Sequence, residues 1–324
     1  MQIMGGAMTC IDVRDVERLL TPAACIALVR QAMAALSDHV TLQQPRSILD
    51  LANGKFGLMA GALSIDGFFG AKLISIFDDP ASPGHRTHRG VIILFDPAEG
   101  VPVCLVDAEE ITVIRTAAAS AVATDALARS DARSLAIFGT GRQAQAHVHA
   151  IACVRDLQRV TIWGRSLQKA EALAETLRGE TGLDVVAEAS AQAAARADIL
   201  CTVTTAAMPV LLSDWVLPGT HVNMVGSSRP GPVEVDEALV LRGRYVADSR
   251  AQVLLEAAEF LSARAAGKIG DEHIVAEIGE VLLGRIVGRR DDQEVTLYKS
   301  LGHPVQDLAA VAFLYQAIRS ESAR

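Results

Sequence analysis

The run Ala136–His147, AIFGTGRQAQAH, sets Gly139-Thr140-Gly141-Arg142-Gln143-Ala144 directly behind an apolar stretch. The spacing fits G-x-G-x-x-A. In that pattern the first glycine permits a tight turn, the second lets the backbone approach a pyrophosphate, and the small third residue packs helix on strand. A helix starting there offers unpaired N–H groups and the positive end of its dipole to an anion. The setting strengthens a pattern that is weak alone: LAIF precedes it, a helix-periodic stretch follows, and RVTIW arrives where the second strand of a βαβ unit belongs. Gly139, Thr140, Gly141, Arg142 and Gln143 are therefore expected to cradle a dinucleotide phosphate.

The end of RVTIW bears on which dinucleotide. The chain reads Gly164-Arg165-Ser166, with Lys169 one turn on, where an NAD site carries Asp or Glu for the ribose 2′-hydroxyl. An Arg there can pair with a 2′-phosphate through charge-assisted hydrogen bonds. The preferred cofactor is predicted to be NADP(H), with NAD(H) as the alternative. Arg165, Ser166 and Lys169 are its expected contacts.

The remaining reactive side chains are less specific. GHRTHRG places His85 and His88 close together, but no third ligand is spaced for a metal, so no metal site is expected. The segment reads either as a solvated loop or as the mouth of a cleft with Thr87 on a substrate. His147 and His149 fall on different faces of one helix and read as structural. The five cysteines are scattered, without a C-x-x-C pair, and read as reduced small hydrophobes of a cytoplasmic protein.

These residues need a scaffold, and the 324-residue chain is long enough for two domains. Half the residues are hydrophobic, few are aromatic, and the formal net charge is −8 with no basic block. That argues against a nucleic-acid partner or an anionic membrane surface. No uncharged apolar run reaches the roughly 18 residues of a membrane span, and the first residues lack the pattern of a secretory signal. Residues 14–37 read as helix, with Pro22 opening a new first turn behind a Thr21 cap. RSILDLA, KFGLMAG, FGAKLISIF, GVIILFDPAEG and VPVCLVD read as strands of an antiparallel or mixed sheet over residues 45–107. An alanine-rich helix spans about 109–129. From Leu135 onward strands at 135–139, 159–163, 184–188, 198–204, 221–225 and 245–248 alternate with helices, the rhythm of a parallel sheet covered on both faces. A last helix starts near Pro304.

Four segments together resemble the ornithine cyclodeaminase/mu-crystallin family: RTAAASAVAT at 115–124, FGTGRQAQAH at 138–147, VNMVGSSRPGPVEVD at 222–236, and KSLGHPVQDLAA at 299–310. The resemblance implies an α/β fold, a Rossmann dinucleotide-binding domain plus a mixed α+β domain for substrate and dimerisation. Residues 1–115 and 303–324 would form the second, and 116–302 the first. It implies a homodimer, a nicotinamide cofactor, and an amino or imino acid as the small-molecule partner. Arg46, Lys72 and Arg115 match places where the family holds substrate. Arg115, placed near a helix start with Thr116 beside it, and Lys72 would anchor an α-carboxylate, which a guanidinium fork and a compact ammonium suit. Thr116, Val225 and Ser227 would lie at the cofactor.

One departure from the family's pattern decides between activities. Members that cyclise ornithine carry an Asp in the loop after the fifth nucleotide-domain strand, and this chain has Ser228 in Val225-Gly226-Ser227-Ser228-Arg229-Pro230-Gly231. A hydroxyl neither holds a substrate amine nor takes its proton as a carboxylate does. The loop resembles mu-crystallin and the bacterial imine reductases. The expected activity is NAD(P)H-dependent reduction of an imino acid or cyclic ketimine to the L-amino acid, with Lys72, Arg115 and Ser228 at the reacting group. Lys72 and an ordered water are both candidates for the proton donor. Asp307 reads either as functional, facing the nicotinamide, or as a capping and packing residue. The alternatives are an ornithine- or lysine-type cyclodeaminase with tightly bound NAD, and a non-enzymatic NADPH- or ligand-binding protein.

Overall fold

The computed structural model describes residues 2–3, 6–78 and 86–322, with side chains over 8–77 and 89–322. The chain divides into two compact units, Met1–Arg115 with His303–Arg324, and Thr116–Gly302. The α/β expectation holds.

In the first unit the helix Pro22–Ser37 begins as its sequence dictates, with Pro22 in the first turn and the Thr21 hydroxyl accepting from Ala24 N–H. A separate short helix, Val13–Leu19, precedes it. The sheet runs through β1 (Thr9–Ile11), β2 (Leu42–Gln43), β3 (Ser47–Leu51), β4 (Gly54–Ala62), β5 (Phe69–Asp78), β6 (Arg86–Phe95) and β7 (Pro102–Asp107). Its order is β1-β7-β6-β5-β4-β2, with β3 also paired to β4. All these pairings are antiparallel except β1 with β7, so the sheet is mixed. Asp96 turns the β6–β7 hairpin, its carboxylate accepting from Ala98 and Glu99 N–H, while Gly100 takes a φ of +68°.

Strand alternation gives the sheet two unlike faces. Met59, Lys72, Ile92 and Val106 stand in register across β4 to β7, and all four are buried. The C-terminal helix Pro304–Ser322 covers this face and packs against Pro22–Ser37. It approaches over a glycine pair: Gly61 opposes Gly70, and a Cβ added at Gly70 would strike the Ile93 carbonyl at 2.0 Å and come within 3.2 Å of Leu308. On the opposite face Leu49, Leu51, Phe56 and Leu58 are exposed.

The second unit holds β8 (Ser134–Phe138), β9 (Arg159–Trp163), β10 (Asp184–Glu188), β11 (Ile199–Thr202), β12 (His221–Met224), β13 (Arg244–Ala247), β14 (Ile274–Glu277) and β15 (Thr296–Lys299). Every pairing is parallel, in the order β10-β9-β8-β11-β12-β15-β13-β14. Strand order reverses between β8 and β11, the topological switch point of a doubly wound sheet. Leu135 to Phe138 are all buried, as strands covered on both faces require. The alternating rhythm placed six of these strands, and β14 and β15 add two more.

The alanine-rich helix Ala108–Leu127 carries both Arg115 and Thr116. Arg115 is its eighth residue, two turns inside rather than near its start. Among the described residues no single helix is long and apolar enough to cross a membrane.

Candidate active site

The strand β5 points Lys72 into the helix-covered face, where it is 4% exposed. Its ammonium donates to Thr112 Oγ1 at 2.6 Å and to Asp307 Oδ1 at 3.1 Å. Arg115, 5% exposed, donates through Nε to the same Asp307 oxygen at 3.0 Å and through Nη1 to Gln306 Oε1 at 3.0 Å. Gln306 in turn reaches Met33 Sδ. Asp307 is fully buried, and its Oδ2 has no hydrogen-bond partner. Two cations thus share one carboxylate in a dry setting. Of its three N–H groups Lys72 commits two to these partners, and Arg115 commits two of its five.

The electrostatics follow from that count. Burial lowers the Lys72 pKa to about 8, with Asp307 pulling it back up and Arg115 and Arg46 pressing it down. Burial raises the Asp307 carboxyl, but Arg115 and Lys72 more than offset this and leave it below the ordinary value. His303, just ahead of the C-terminal helix, is pushed down to about 3 by burial. Arg46 is half-buried, and its charge reaches Lys72 and His303. The Cys25 thiol, buried near Arg115 and Asp307, is pushed up to about 12 by desolvation and stays protonated.

In the second unit the glycine turn has the form a dinucleotide needs. Gly139 takes a φ of +146°, and a Cβ there would lie 2.9 Å from the Val203 carbonyl. Gly141 is the N-cap of Arg142–Ala152 without a side-chain cap, and a Cβ added to it would meet nothing within 4 Å. Helix N–H groups therefore face open space where a diphosphate fits. Ala144 is fully buried and lets the helix close on the sheet. Thr140 and Gln143 are half-buried and Arg142 is exposed. Arg165 and Lys169 are exposed, and Ser166 caps the next helix by accepting from Lys169 N–H at 3.3 Å.

The loop after β12 is held from below. Val225 N–H and Gly226 N–H donate to the Thr202 carbonyl, and Gly226 N–H also meets Glu234 Oε2 at 2.6 Å. Ser227 is buried and Ser228 half-buried. Thr116 is buried.

The structure thus brings Lys72 and Arg115 together and gives them the partner Asp307. Sequence reasoning left Asp307 open and did not single out Gln306, Thr112, Lys299, Glu259 or Glu234. The available signal was a charged residue at a buried position, such as Lys299 closing the apolar strand TLYK. The Thr87 side chain and His85 lie outside the described residues. His147 is buried, held by Ser120 and the Gln143 carbonyl, whereas His149 pairs with Glu180, as their different faces require. Among the described residues no group of three or more His, Cys, Asp or Glu could hold a metal ion.

A Rossmann sheet with an open glycine turn, and a buried cation cluster in a separate unit, define a nicotinamide-dependent enzyme of small organic acids. Residues 8–322 match the model of the ornithine cyclodeaminase/mu-crystallin family, and the chain belongs to that family. It is 31% identical over 313 residues to a Delta(1)-pyrroline-2-carboxylate reductase of Bacillus cereus, spanning 95% of this chain and 96% of that one. It is 31% identical over 306 residues to the ketimine reductase mu-crystallin of Mus musculus, spanning 93% and 94%. The structure of Thermococcus litoralis Delta(1)-pyrroline-2-carboxylate reductase, in complex with NADH and L-proline, superposes with a TM-score of 0.93 at 30% identity, covering 97% of this chain and 98% of that one.

Proposed function

We propose that this protein reduces an imino acid or cyclic ketimine, of the Δ1-pyrroline-2-carboxylate or Δ1-piperideine-2-carboxylate type, to the L-amino acid. It is an NAD(P)-dependent oxidoreductase acting on C=N bonds. The observation that carries the substrate class is the Lys72–Asp307–Arg115 cluster, two buried cations against one carboxylate. Uncompensated buried charge is costly, and an organic carboxylate supplies the missing negative charge. Each charge-assisted hydrogen bond to it is worth about 1.5–3 kcal/mol.

The dinucleotide, when bound, supplies hydride to the imine carbon. Everything else falls to the side chains. Arg115 offers its remaining guanidinium donors and Lys72 its remaining N–H, fixing the acid by its carboxylate so that the adjacent C=N is oriented. Lys72, with a pKa of about 8, is poised to relay the proton that the nitrogen takes up. Ser228 and Thr116 orient substrate or water. Arg46 completes the substrate contacts.

In this reading Met1–Arg115 with His303–Arg324 holds the substrate and Thr116–Gly302 the nucleotide. NADP(H) is the preferred form, supported by Arg165 and Lys169 lying exposed beyond β9 without an acidic residue in Gly164-Arg165-Ser166. The open apolar face of β3 and β4 supports a homodimer contact, and five free cysteines support a reducing, cytoplasmic location.

The test is oxidation of NADPH and NADH with cyclic and linear imino acids, with ammonium measured from ornithine in parallel. Reduced nicotinamide should be consumed with an imino carboxylate. Ammonium released from ornithine at constant nicotinamide absorbance, or binding of NADPH without turnover of any imino acid, would refute the reading.

A further inference from the structure

A buried ion pair in the second unit sits beneath the loop after β12. Lys299, the last residue of β15, is fully buried, and Glu259, on the helix Ala258–Ala265, is 3% exposed. The Lys299 ammonium lies 2.6 Å from Glu259 Oε1, an ion contact rather than an aligned hydrogen bond. It donates to the Ser227 carbonyl at 2.6 Å and to Ser227 Oγ at 2.9 Å. The Ser227 hydroxyl in turn donates to Glu259 Oε2 at 3.3 Å. One residue earlier, Glu234 grips Gly226 N–H and the N–H and hydroxyl of Thr204. Gly226 admits no side chain, because a Cβ there would fall 2.1 Å from the Thr204 carbonyl.

Burying a lysine and a glutamate carries a desolvation penalty, and an apolar pair of similar volume would fold as well. What an apolar pair cannot do is fix a carbonyl. The peptide between Ser227 and Ser228 is planar and trans, so its N–H points opposite its C=O. With the Ser227 carbonyl drawn onto Lys299, the Ser228 N–H is turned away from the ammonium. The loop leaves the C-terminal end of β12, on the β11 side of the switch point. A Rossmann sheet receives the nicotinamide half of its cofactor on that side, the adenosine half lying over β8 to β10.

We propose that Lys299 and Glu259 are positioning residues for the nicotinamide half of the dinucleotide, acting by locking the Ser227–Ser228 peptide. This rests on the cofactor assignment above but not on the identity of the imino acid.

The test is a binding comparison on the full-length protein with two probes: NADPH, and 2′-phospho-ADP-ribose, which lacks the nicotinamide. The variant is K299M/E259M, in which both charges leave together so that no ion is stranded. It should melt within a few degrees of the parent and bind 2′-phospho-ADP-ribose within twofold of it. NADPH binding should weaken tenfold or more. Equal weakening of both probes would reduce the pair to a structural role, and unchanged NADPH binding would remove it from cofactor positioning. Should the double variant not fold, E259Q keeps the side-chain volume and is expected to show the same split between probes at three- to tenfold. Equal effects on the two probes there would overturn the proposal as well. Parent enzyme that shows the binding contrast with its variant but reduces no imino acid would refute the proposed activity and leave the positioning role standing.

Discussion

Replacing Asp307 by Asn removes one negative charge from between Lys72 and Arg115 while keeping volume and one acceptor oxygen. Lys72 Nζ stands 3.1 Å from the carboxylate. Charges about 4 Å apart interact by roughly 4 kcal/mol at an effective dielectric near 20, and in practice an adjacent opposite charge moves a pKa by about 1–3 units. The charged groups acting on Lys72 are Asp307 from the C-terminal segment, Arg115 from the central helix and Arg46 from the segment before β3. Asp307 is the one anion named among them. With it Lys72 titrates at about 8. Without it the pKa should fall to roughly 5–7, leaving the amine largely neutral at physiological pH. The assay is kcat/KM for the imino acid across pH, for parent and D307N, with NADPH affinity measured by fluorescence. The substrate's own titration is common to both enzymes and drops out of the comparison. The alkaline limb should move down by about one to three pH units. KM should rise about 10- to 100-fold, the worth of one charge-assisted hydrogen bond. NADPH affinity should hold. A loss of activity with the limb unmoved would show that Asp307 does not set the protonation of Lys72.

Four further outcomes are expected. Arg115→Ala should lower kcat/KM for the imino acid by about 100-fold or more, because it removes charge-assisted donors and leaves Asp307 with Lys72 as its one remaining cation; NADPH titration should be unchanged. Arg165→Asp should raise the NADPH KM about 10- to 100-fold through loss of the 2′-phosphate pair and leave the NADH value nearly alone, and equal effects on both would reject the assignment. Burial holds His147 at about 4 and His221 and His303 at about 3, below the ordinary 6.5. The unfolded chain therefore binds protons that the native state excludes, and stability falls as pH drops below about 6.5, by about 2 kcal/mol per histidine between pH 7 and 5. Urea unfolding at the two pH values should show this, and His147→Gln should shrink the difference by one histidine's share. For the proposed homodimer, Leu49→Asp with Phe56→Asp, on the open face of β3 and β4, should give a monomer in analytical ultracentrifugation where the parent sediments as a dimer, since burying each such side chain is worth about 1.5–3 kcal/mol.

What could be read along the chain was what local chemistry enforces. Thr21-Pro22 starts a helix wherever it lies, because the hydroxyl cap and the preset φ act within one turn. The Gly139 turn is legible because its left-handed φ and its crowding against Val203 tolerate no side chain. Six strands of the second unit stand out as apolar runs because both sheet faces are covered. β1, β14 and β15 escape such reading, and their pairing is set by partners distant in sequence. Arg115 and Lys72 were marked by resemblance, whereas the carboxylate that joins them lies 235 residues beyond Lys72. The sequence sets Asp307 beside the apolar run Leu308, Ala309 and Ala310, but does not tell which charge awaits it. Lys299 and Ser227, 72 residues apart, meet only because β12 and β15 pair in register at Met224 and Lys299. Sequence by itself determined the turns, the caps, the covered strands and the nucleotide motif, since each arises from steric and hydrogen-bonding limits within a few residues. Tertiary structure alone decided which buried ions neighbour one another. Packing sets those distances, and at a few ångströms in a dry interior distance governs charge.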